Sequence, residues 1–363
     1  MDSTDYSSFR RKLLKWYGND ARDLPWRRTA DPYQIWISEI MLQQTTVAAV
    51  IPYFERFLDR FPTVAALAAG PENEVLRLWE GLGYYSRARN LHRAAKVIVE
   101  EYAGLFPSEL NLLQALPGIG RYTAGAIASF AFDQRAPIVE ANTLRLYCRL
   151  IGFEGDPRSR AGQEVLWSFA ESILPRVHPG RFNQALMELG ALICAPREPD
   201  CAACPARVFC RAHREGSQLR IPQPKQKVVI THQTEASIAI RKGAHYLLRE
   251  RKAGERWAGL WDFVRFEIEP DEAGSALPGM IEIVAEKTGF LVELEPQILE
   301  LTHSVTRYRI TLKCYVAKLI QGKLTTGQKW KWVPPAQFDQ YPLSVTARQF
   351  AERLQQFSIS DLP

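Results

Sequence analysis

The sequence predicts a two-domain protein in which an all-α domain precedes a smaller domain of mixed α and β structure. Residues 6–214 repeat apolar side chains at helical spacing and contain few strand-like alternations. Short runs rich in β-branched and aromatic residues follow, for example at 236–240 and 310–316. A polar, proline-bearing stretch lies between the helical and the strand-rich regions and is typical of a linker. The predicted boundaries are 1–214 for the helical domain, 215–229 for the linker and 230–363 for the second domain.

The overall composition is that of an ordinary globular protein with room for two cores. The chain has 363 residues, of which 46% are hydrophobic, and domains average roughly 150 residues each. Residues 1–20 carry charges throughout, and no apolar run is long enough for a secretory signal or a membrane helix. We therefore expect a cytoplasmic protein without a membrane partner. The net charge of +6 permits a polyanionic partner, although charge alone does not identify one.

Four of the six cysteines form one compact set, separated by gaps of six, two and five residues. In a chain without a secretory signal, thiols this close indicate a metal centre rather than a disulfide framework. A 4Fe-4S cluster accepts one compact run of four thiolates, whereas the usual zinc ribbons carry two close pairs that lie far apart. The cluster is the favoured interpretation and zinc is the alternative. The predicted ligands are Cys194, Cys201, Cys204 and Cys210.

The segment 31–47 predicts a helix that begins at a good N-terminal cap. Asp31 can accept a hydrogen bond from a free N–H group of the first turn, and Pro32 suits that turn. Apolar side chains at spacings of three and four form a stripe that should face the core. Glu39 lies off that stripe and beside Gln43 one turn later, so both can face one external groove. Spacing alone favours an ordinary solvated glutamate at this position.

A second motif, LPGIGRYTAG at 116–125, predicts a tight hairpin of two helices. Gly118 and Gly120 permit positive φ angles and let another molecule approach the main chain closely. The free amides of the turn, at the start of the next helix, would then face an anion such as a DNA phosphate. An ordinary turn between two packed helices fits the same pattern, and the motif alone does not decide between them.

Together these segments resemble the helix-hairpin-helix DNA glycosylases, and within them the MutY-type adenine DNA glycosylases. The resemblance rests on LPGIGR, on the cysteine loop, on PYQIWISEIMLQQT around Glu39, and on WEGLGYYSRARNLH at 79–92. It is dense over residues 6–214 and fainter beyond them. It implies a helix-hairpin-helix glycosylase domain with an iron-sulfur loop at 194–210, followed by a Nudix-like α+β domain. The implied enzyme is a base-excision repair monomer that hydrolytically removes adenine mispaired with 8-oxoguanine or guanine in double-stranded DNA.

The resemblance also assigns roles to single residues. Glu39 matches the family's general acid, which protonates N7 of adenine and then assists water. Such enzymes flip the target base out of the duplex and fill the gap, and Gln44 with Tyr84 or Tyr85 matches the inserted side chains. Tyr122 stands where bifunctional relatives similar to endonuclease III carry a nucleophilic lysine, which favours hydrolysis over strand cleavage. Two further residues match the pocket wall, namely Arg27 and Gln184.

The sequence departs from the family pattern at the second carboxylate. The family reads leucine or valine, aspartate, glycine and asparagine, where this chain has VEAN at 139–142. Glu140 keeps the charge that would stabilise a cationic sugar, but its longer side chain moves the carboxylate by roughly one carbon–carbon bond. Misplacement on the ångström scale can cost about 100-fold in rate. Glu140 is the predicted stabilising carboxylate, and impaired or redirected chemistry is the alternative.

The second half resembles the Nudix-related domain with which this family reads the base opposite adenine. The likeness lies in WAGLWDF at 257–263, whereas the segment 281–290 keeps few of the glutamates that a Nudix hydrolase needs for magnesium, so pyrophosphohydrolase activity is not expected. The family's phenylalanine, serine and histidine loop matches Val305, Thr306 and Arg307.

An arginine in that loop would change the reading of the opposite base. An arginine fork pairs with O6 and N7 of guanine but meets a hydrogen at N7 of 8-oxoguanine. We therefore expect relaxed or shifted discrimination between these two bases, with a phosphate contact by Arg307 as the alternative.

Two other functions stay open at this point. The changes at Glu140 and around Arg307 also fit a paralogue that binds mismatched or damaged DNA with little or no excision. A glycosylase for another base on the same scaffold is the remaining possibility.

Overall fold

The computed structural model describes residues 3–224, 229–269 and 277–356 of the chain. Its described backbone divides into two compact units. Unit 1 takes residues from 1–69 and 90–226, and unit 2 takes residues from 70–89 and 227–363. The segment 70–89 therefore groups with the second unit, although it lies inside the predicted helical domain in sequence. Positions 225–228 of the predicted linker lie outside the described residues, and the boundaries drawn from the sequence stay predictions.

Unit 1 is built from α-helices, as the periodicity of its sequence predicts. Helix α6 (Ser86–Glu101) begins in unit 2 and continues in unit 1. No helix in the described ranges is long and apolar enough to cross a membrane. The other helices of unit 1 are α1 (Ser3–Asp20), α2 (Pro32–Leu42), α3 (Val47–Arg60), α4 (Val64–Ala69), α7 (Leu110–Ala115), α8 (Arg121–Phe132), α9 (Ala141–Ile151), α10 (Arg160–Ile173), α11 (Pro179–Leu192) and α12 (Arg211–Arg214).

A core of unit 1 forms where side chains of α1, α9, α10 and α11 meet. Phe9 of α1 and Phe182 of α11 pack edge to face, with 5.9 Å between ring centroids. Ile221, from the predicted linker, is buried in the same core, and its carbonyl oxygen accepts a hydrogen bond from Arg149 Nε at 2.9 Å. This part of the predicted linker therefore belongs to the packed helical unit.

Helix α2 begins as its sequence predicts. The Asp31 carboxylate accepts a hydrogen bond from an N–H group of the first turn at 2.9 Å, and Pro32 takes the first helical position. The helix ends at Leu42, after which Gln44 adopts a left-handed φ of +59° and Thr46 caps α3. The segment predicted as one helix therefore contains a break.

Burial of α2 extends around most of the helix. Glu39, which lies off the apolar stripe, is only 4% exposed. The ordinary solvated glutamate favoured by spacing alone is therefore wrong. The predicted stripe is buried as expected and consists of Tyr33, Trp36, Ile37, Ile40 and Met41.

The described part of unit 2 holds a seven-stranded mixed sheet. The elements of this unit are α5 (Glu72–Leu78), β1 (Thr231–Lys242), β2 (His245–Glu250), β3 (Trp261–Asp262), β4 (Val264–Ile268), α13 (Leu277–Thr288), β5 (Phe290–Val305), β6 (Tyr308–Gly322), β7 (Trp330–Val333) and α14 (Val345–Gln356). The strands follow the order β3, β2, β1, β6, β5, with β4 also paired to β1 and β7 to β2. Strands β1 and β6 run parallel, and the other pairs are antiparallel.

Alternate residues of the central strands enter two separate cores, because successive side chains point to opposite faces of a sheet. On β6, Cys314 and Val316 pack in the core that contains residues of α14, whereas Tyr315 and Ala317 pack in the core that contains residues of α13. One helix therefore covers each face. A helical unit together with an α+β unit confirms the predicted fold class.

Candidate active site

A pocket of about 840 Å³ in unit 1 collects polar side chains from several elements. They come from the turn before α2, from α2 itself, from the connection to α3, and from the helices α8, α9 and α11. A concave site with a few convergent polar groups is the usual form of a ligand pocket. Six residues predicted from the sequence lie in its wall, namely Arg27, Glu39, Gln44, Tyr122, Glu140 and Gln184.

Glu39 places a buried carboxyl group in the pocket wall. Its Oε2 accepts a hydrogen bond from the Tyr122 hydroxyl at 2.5 Å. Burial raises the pKa of Glu39 to about 7, because desolvation penalises the charged form. The charge of Glu140 raises this pKa further, whereas the Tyr122 hydrogen bond and the charge of Arg27 lower it. A carboxyl group that titrates near neutral pH can both give and take a proton there.

Tyr122 supplies a phenol to the same pocket. Burial, followed by the charges of Glu39 and Glu140, raises the pKa of Tyr122 well above its usual range. The hydroxyl therefore stays protonated and donates to Glu39. Its position at the start of α8 gives the pocket a hydrogen-bond donor, and a phenol cannot form a Schiff base as an amine does.

Glu140 is the N-terminal cap of α9 as well as part of the pocket wall. Its Oε2 accepts from Asn142 N at 2.8 Å, and its Oε1 accepts from Thr143 N at 2.8 Å. The Thr143 hydroxyl in turn accepts from the Glu140 backbone N–H, which completes a capping box. Burial raises the pKa of Glu140, and the two backbone donors act against that rise. Because both oxygens accept N–H groups at a helix N-terminus, the geometry suits an ionised carboxylate.

Glu188 is a further residue of this pocket that sequence reasoning missed. Its buried carboxylate accepts hydrogen bonds from Arg22 Nη2 at 2.7 Å and from Arg27 Nη2 at 2.8 Å. Burial alone would raise the pKa of Glu188, but the hydrogen bonds from the two arginines outweigh it and bring the pKa to about 2. The sequence did hold a signal, since Glu188 follows Gln184 by one turn and so lies on the same side of α11.

Gln184 and Arg27 are held in place by one tyrosine. The Tyr17 hydroxyl donates to Gln184 Oε1 at 2.9 Å, and the Arg27 guanidinium lies 5.6 Å from the centre of the Tyr17 ring. This bond orients the amide of Gln184, whose NH2 group carries two donors that a bound molecule could accept. The pocket wall thus offers fixed donors beside the carboxyl groups.

The predicted hairpin forms between α7 and α8, but its two glycines differ. Gly118 has a φ of +78°, and a Cβ atom there would lie 2.6 Å from the Asn90 Cβ. Gly120 has an ordinary φ of −84°, so only Gly118 adopts the positive φ that both glycines permit. A Cβ atom at Gly120 would meet nothing within 4 Å. The turn is therefore open at Gly120, where another molecule has room to approach.

The four clustered cysteines line one small cavity in unit 1. Burial raises the pKa of Cys204 to about 12, and the charges of Cys194, Cys210 and Cys201 raise it further. Within the described ranges, however, no three Cys, His, Asp or Glu side chains come close enough to hold a single metal ion.

Four thiols that line one cavity fit a 4Fe-4S cluster, which gives each thiolate an iron of its own. Zinc, the alternative predicted from the sequence, would need four sulfurs at about 2.3 Å from one ion.

Arg149 fixes the first turn of the cysteine loop. This arginine is 2% exposed, and its Nη1 donates to the Cys194 sulfur at 3.3 Å and to the Ala195 carbonyl at 2.7 Å. Its Nη2 donates to the Pro196 carbonyl at 3.0 Å. A buried cation that binds one ligand and the backbone beside it holds the loop on α9.

The predicted opposite-base residues belong to unit 2, apart from Gln44. A pocket of about 580 Å³ in that unit is lined by Tyr84, Tyr85 and Thr306. Tyr84 is 50% exposed at a φ of +48°, whereas Tyr85 is buried. Arg307 is not among the residues that line this pocket, and its Nη2 donates to the Tyr308 hydroxyl at 3.0 Å. Sequence reasoning missed two aromatic residues of the wall, namely Trp257 and His303.

Two family models match separate parts of the chain. The HhH-GPD superfamily of base excision DNA repair proteins matches residues 37–172. The NUDIX domain matches residues 236–353. The first range contains Glu39, Tyr122 and Glu140, and the second contains most of the sheet of unit 2.

Solved structures support the helical fold. A thermostable thymine-DNA glycosylase is 32% identical, with a TM-score of 0.54 over 59% of this chain and 100% of its own. Endonuclease III in a trapped covalent intermediate with DNA is 22% identical, with a TM-score of 0.51 over 60% of this chain and 99% of its own. The second likeness concerns the fold alone.

Several curated relatives bear one name. The adenine DNA glycosylase of Mus musculus is 35% identical over 91% of this chain and 75% of its own length. That of Buchnera aphidicola subsp. Schizaphis graminum is 39% identical over 71% of this chain and 75% of its own. The match to the Rattus norvegicus protein is 46% identical but spans only 44% of that protein. The chain belongs to the adenine DNA glycosylase family.

Proposed function

We propose that this protein is a monofunctional DNA glycosylase of base-excision repair, which acts as a monomer on duplex DNA and removes a mispaired adenine by hydrolysis. The observation that carries the proposal is Glu39, a buried carboxyl group with a pKa of about 7 in a pocket of about 840 Å³. Adenine is a poor leaving group until a ring nitrogen is protonated, so its removal needs an acid that keeps its proton near neutral pH. The family membership of the chain supports the same chemistry.

The proposed reaction uses the two pocket carboxyl groups in different roles. Protonated Glu39 gives its proton to N7 of the flipped adenine, and the glycosidic bond then breaks with its electron pair leaving on the base. Glu140 stabilises the oxocarbenium character that develops on the sugar. Water adds to the sugar carbon and returns a proton to Glu39. The capping box supports this division, because it holds Glu140 in a geometry suited to the charged form.

Tyr122 supports hydrolysis over strand cleavage. Its hydroxyl is protonated and donates to Glu39, and it offers no amine that could form a Schiff base with the sugar. The proposed product is therefore an intact strand with an abasic site.

The base pocket would bind adenine through fixed donors. Glu188 holds the Arg27 guanidinium at 2.8 Å, and Tyr17 orients the Gln184 amide so that its NH2 group can meet an acceptor nitrogen of the base. These side chains are already paired before any base enters, so little side-chain entropy is lost on binding.

We further propose that Cys194, Cys201, Cys204 and Cys210 hold a 4Fe-4S cluster. When bound, such a cluster would brace the loop 194–210 and the basic residues around it for DNA. No step of the proposed reaction depends on redox chemistry.

Opposite-base reading is proposed for unit 2. Arg307 lies at the β5–β6 turn with its guanidinium 5.1 Å from the Tyr308 ring, which holds an arginine donor where the family has histidine. This supports relaxed discrimination between guanine and 8-oxoguanine opposite adenine. Single-turnover excision from both duplexes tests it, and an undiminished preference for 8-oxoguanine would contradict it.

The proposed activity is tested by incubation with a duplex that carries one A:8-oxoguanine pair, with and without later alkali treatment. Breaks at the adenine only after alkali are expected from the wild type and not from Glu39→Gln. Breaks without alkali, or a product trapped by borohydride, would contradict the monofunctional reaction.

One observation favours a second candidate, a reader of damaged DNA with little excision. Both oxygens of Glu140 are engaged by backbone N–H groups, which limits how far the carboxylate can move toward a sugar. Tight binding to A:8-oxoguanine without alkali-sensitive sites would favour this reader over the glycosylase.

A further inference from the structure

His303 makes a hydrogen bond that fixes the chemical form of its ring. Its Nε2 lies 2.9 Å from Arg265 Nη2. A guanidinium group is always protonated in proteins and can only donate. Nε2 of His303 must therefore accept, and a neutral ring that accepts at Nε2 carries its proton on Nδ1.

Arg265 is itself held from two further sides. It is buried, its Nε donates to Glu235, and its Nη1 donates to Thr346 Oγ1 at 3.0 Å. Glu235 also accepts from Arg256 Nη1 at 3.0 Å. The guanidinium that faces His303 is thus anchored by partners on β1 and α14 and has little freedom to release the ring.

Trp257 packs against the same group. The indole lies 5.8 Å from the His303 ring between centroids, and the Arg265 guanidinium lies 4.6 Å from the indole centre. Trp257 takes a left-handed φ of +60°, a conformation that persists only where surrounding contacts enforce it. The imidazole is therefore fixed both by a hydrogen bond at one nitrogen and by ring packing.

The surrounding charges agree with a neutral ring. Burial lowers the pKa of His303 to about 4, and the charges of Arg265 and Arg256 lower it too, while Glu235 and Asp262 act in the opposite direction. Burial and the two arginine charges outweigh the two carboxylate charges. His303 therefore stays neutral at physiological pH, with Nδ1–H as its donor.

This donor belongs to the wall of the unit 2 pocket, beside the β5–β6 turn. His303, Trp257 and Tyr84 line the pocket together, so it combines aromatic surface with a neutral N–H group. Among the described residues, no hydrogen-bond partner of His303 Nδ1 is found. This nitrogen is not fully buried, so a bound molecule could reach it. Aromatic walls with one fixed donor suit a nucleobase that presents an acceptor atom.

We propose that Arg265 is a positioning residue that holds His303 as a neutral imidazole, and that His303 Nδ1–H donates to an acceptor atom of the base opposite adenine. The proposal rests on the proposed function only for the identity of the base. His303 would then contact the opposite base in addition to the contact proposed for Arg307. Its ring is a neutral donor, whereas the guanidinium of Arg307 is charged.

The first test needs no DNA. The chain has six histidines, so selective ¹⁵N labelling gives a spectrum simple enough to assign by substitution. At pH 7 we expect a protonated nitrogen at Nδ1 of His303 and an unprotonated one at Nε2, with no titration down to pH 5. Arg265→Gln should abolish this pattern, and exposed His245 serves as internal reference. A proton on Nε2, or a doubly protonated ring at pH 7, would overturn the positioning role in the wild type itself.

The second test separates the donor from the ring. In a Glu39→Gln background, in which we expect excision to be at least about 100-fold slower, duplex binding is compared for His303→Asn and His303→Phe. The asparagine NH2 group can take the place of Nδ1–H, whereas phenylalanine keeps the packing on Trp257 and loses the donor. We expect His303→Phe to weaken binding to A:G by about fivefold, the worth of one neutral hydrogen bond, and His303→Asn to retain it.

Binding to a fully paired A:T duplex is the control and should not differ among the variants. Equal affinity of His303→Phe and the parent for A:G would overturn the reading role. A wild type without alkali-sensitive products would contradict the glycosylase proposal alone, because the tautomer of His303 is measured independently of activity.

Discussion

Glu39 is a carboxyl group that keeps its proton near neutral pH because it is buried, and Tyr122 is the donor that limits this effect. The Tyr122 hydrogen bond lowers the pKa of Glu39, against the rise caused by burial. The acid of the proposed reaction is therefore set by two opposing contributions. Each can be changed by a single substitution.

Tyr122→Phe removes the hydroxyl that donates to Glu39 at 2.5 Å. The pKa of Glu39 should then rise, so the pH above which adenine excision declines should move upward. We expect a loss of less than about tenfold in rate at pH 6, where Glu39 is protonated in both proteins. Single-turnover kinetics between pH 5 and 9 measure the shift. A downward movement of the profile would show that Tyr122 does not act on Glu39 as described.

Glu39→Gln should stabilise the protein in alkaline solution. The pKa of Glu39 is about 7 in the fold against an ordinary value of 4.5. Folding therefore favours the protonated form of Glu39. The contribution of this group to the stability of the fold is fully present below pH 4.5 and is lost as the pH rises through 7. Glutamine cannot ionise, so the variant should be more stable than wild type at pH 8.5 by roughly 1–3 kcal/mol.

Urea unfolding at pH 8.5 and at pH 5 measures this difference, which should shrink at the lower pH. A constant difference at both values would mean that Glu39 does not titrate between them.

At the scale of elements, the helical hairpin and the cysteine loop of unit 1 both depend on the conformation and contacts of their backbone. The hairpin between α7 and α8 needs a left-handed residue only at Gly118, where a Cβ atom would also strike Asn90. Gly120 has an ordinary backbone and open space in front of it. The two glycines therefore serve different purposes, which the motif alone does not reveal.

Gly118→Ala and Gly120→Ala form a matched pair. The first should lower the free energy of unfolding by roughly 1–3 kcal/mol, because of the positive φ and the clash. The second should leave stability unchanged and weaken duplex binding, if a phosphate approaches the turn. Denaturation and fluorescence anisotropy with duplex DNA measure both. An unchanged affinity of Gly120→Ala for duplex DNA would show that DNA does not bind at this turn.

Arg149→Met tests the cysteine loop. The substitution keeps most of the side-chain volume but removes donors to the Cys194 sulfur and to the carbonyls of Ala195 and Pro196. Leaving such buried groups unpaired costs about 1–3 kcal/mol each. We expect less iron and sulfide per chain and a weaker visible absorbance than in wild type.

The control for this change is Arg211→Met, which removes an exposed arginine that pairs with Glu215 on the same stretch. It should keep its iron. Zinc bound in place of iron in the wild-type protein would contradict the cluster.

At the scale of the whole chain, the sequence predicted the order of a helical and an α+β part, because helical and strand periodicities are local properties. It also predicted the cap at Asp31 and the stripe of α2. The spacing of side chains in α2 did not predict the burial of Glu39, because burial of the polar side of α2 depends on other helices that no local pattern contains. The same reason explains why Glu188 and His303 were missed, since their partners Arg22 and Arg265 are distant in sequence.

The grouping of residues 70–89 with unit 2 was likewise beyond local patterns. Glu80 of this segment receives two hydrogen bonds from Arg348, at 2.7 and 3.0 Å. Such a contact joins residues far apart in the chain. It places the exposed Tyr84 in the same compact unit as the proposed opposite-base pocket.

The most direct test of the proposed function is the pH dependence of single-turnover adenine excision from an A:G duplex by wild type and Glu39→Gln. We predict alkali-sensitive product from wild type, with a rate that falls above about pH 7. The variant should be slower by about 100-fold to 10,000-fold, the usual contribution of a general acid. Equal rates for the two proteins, or no product at any pH, would contradict it.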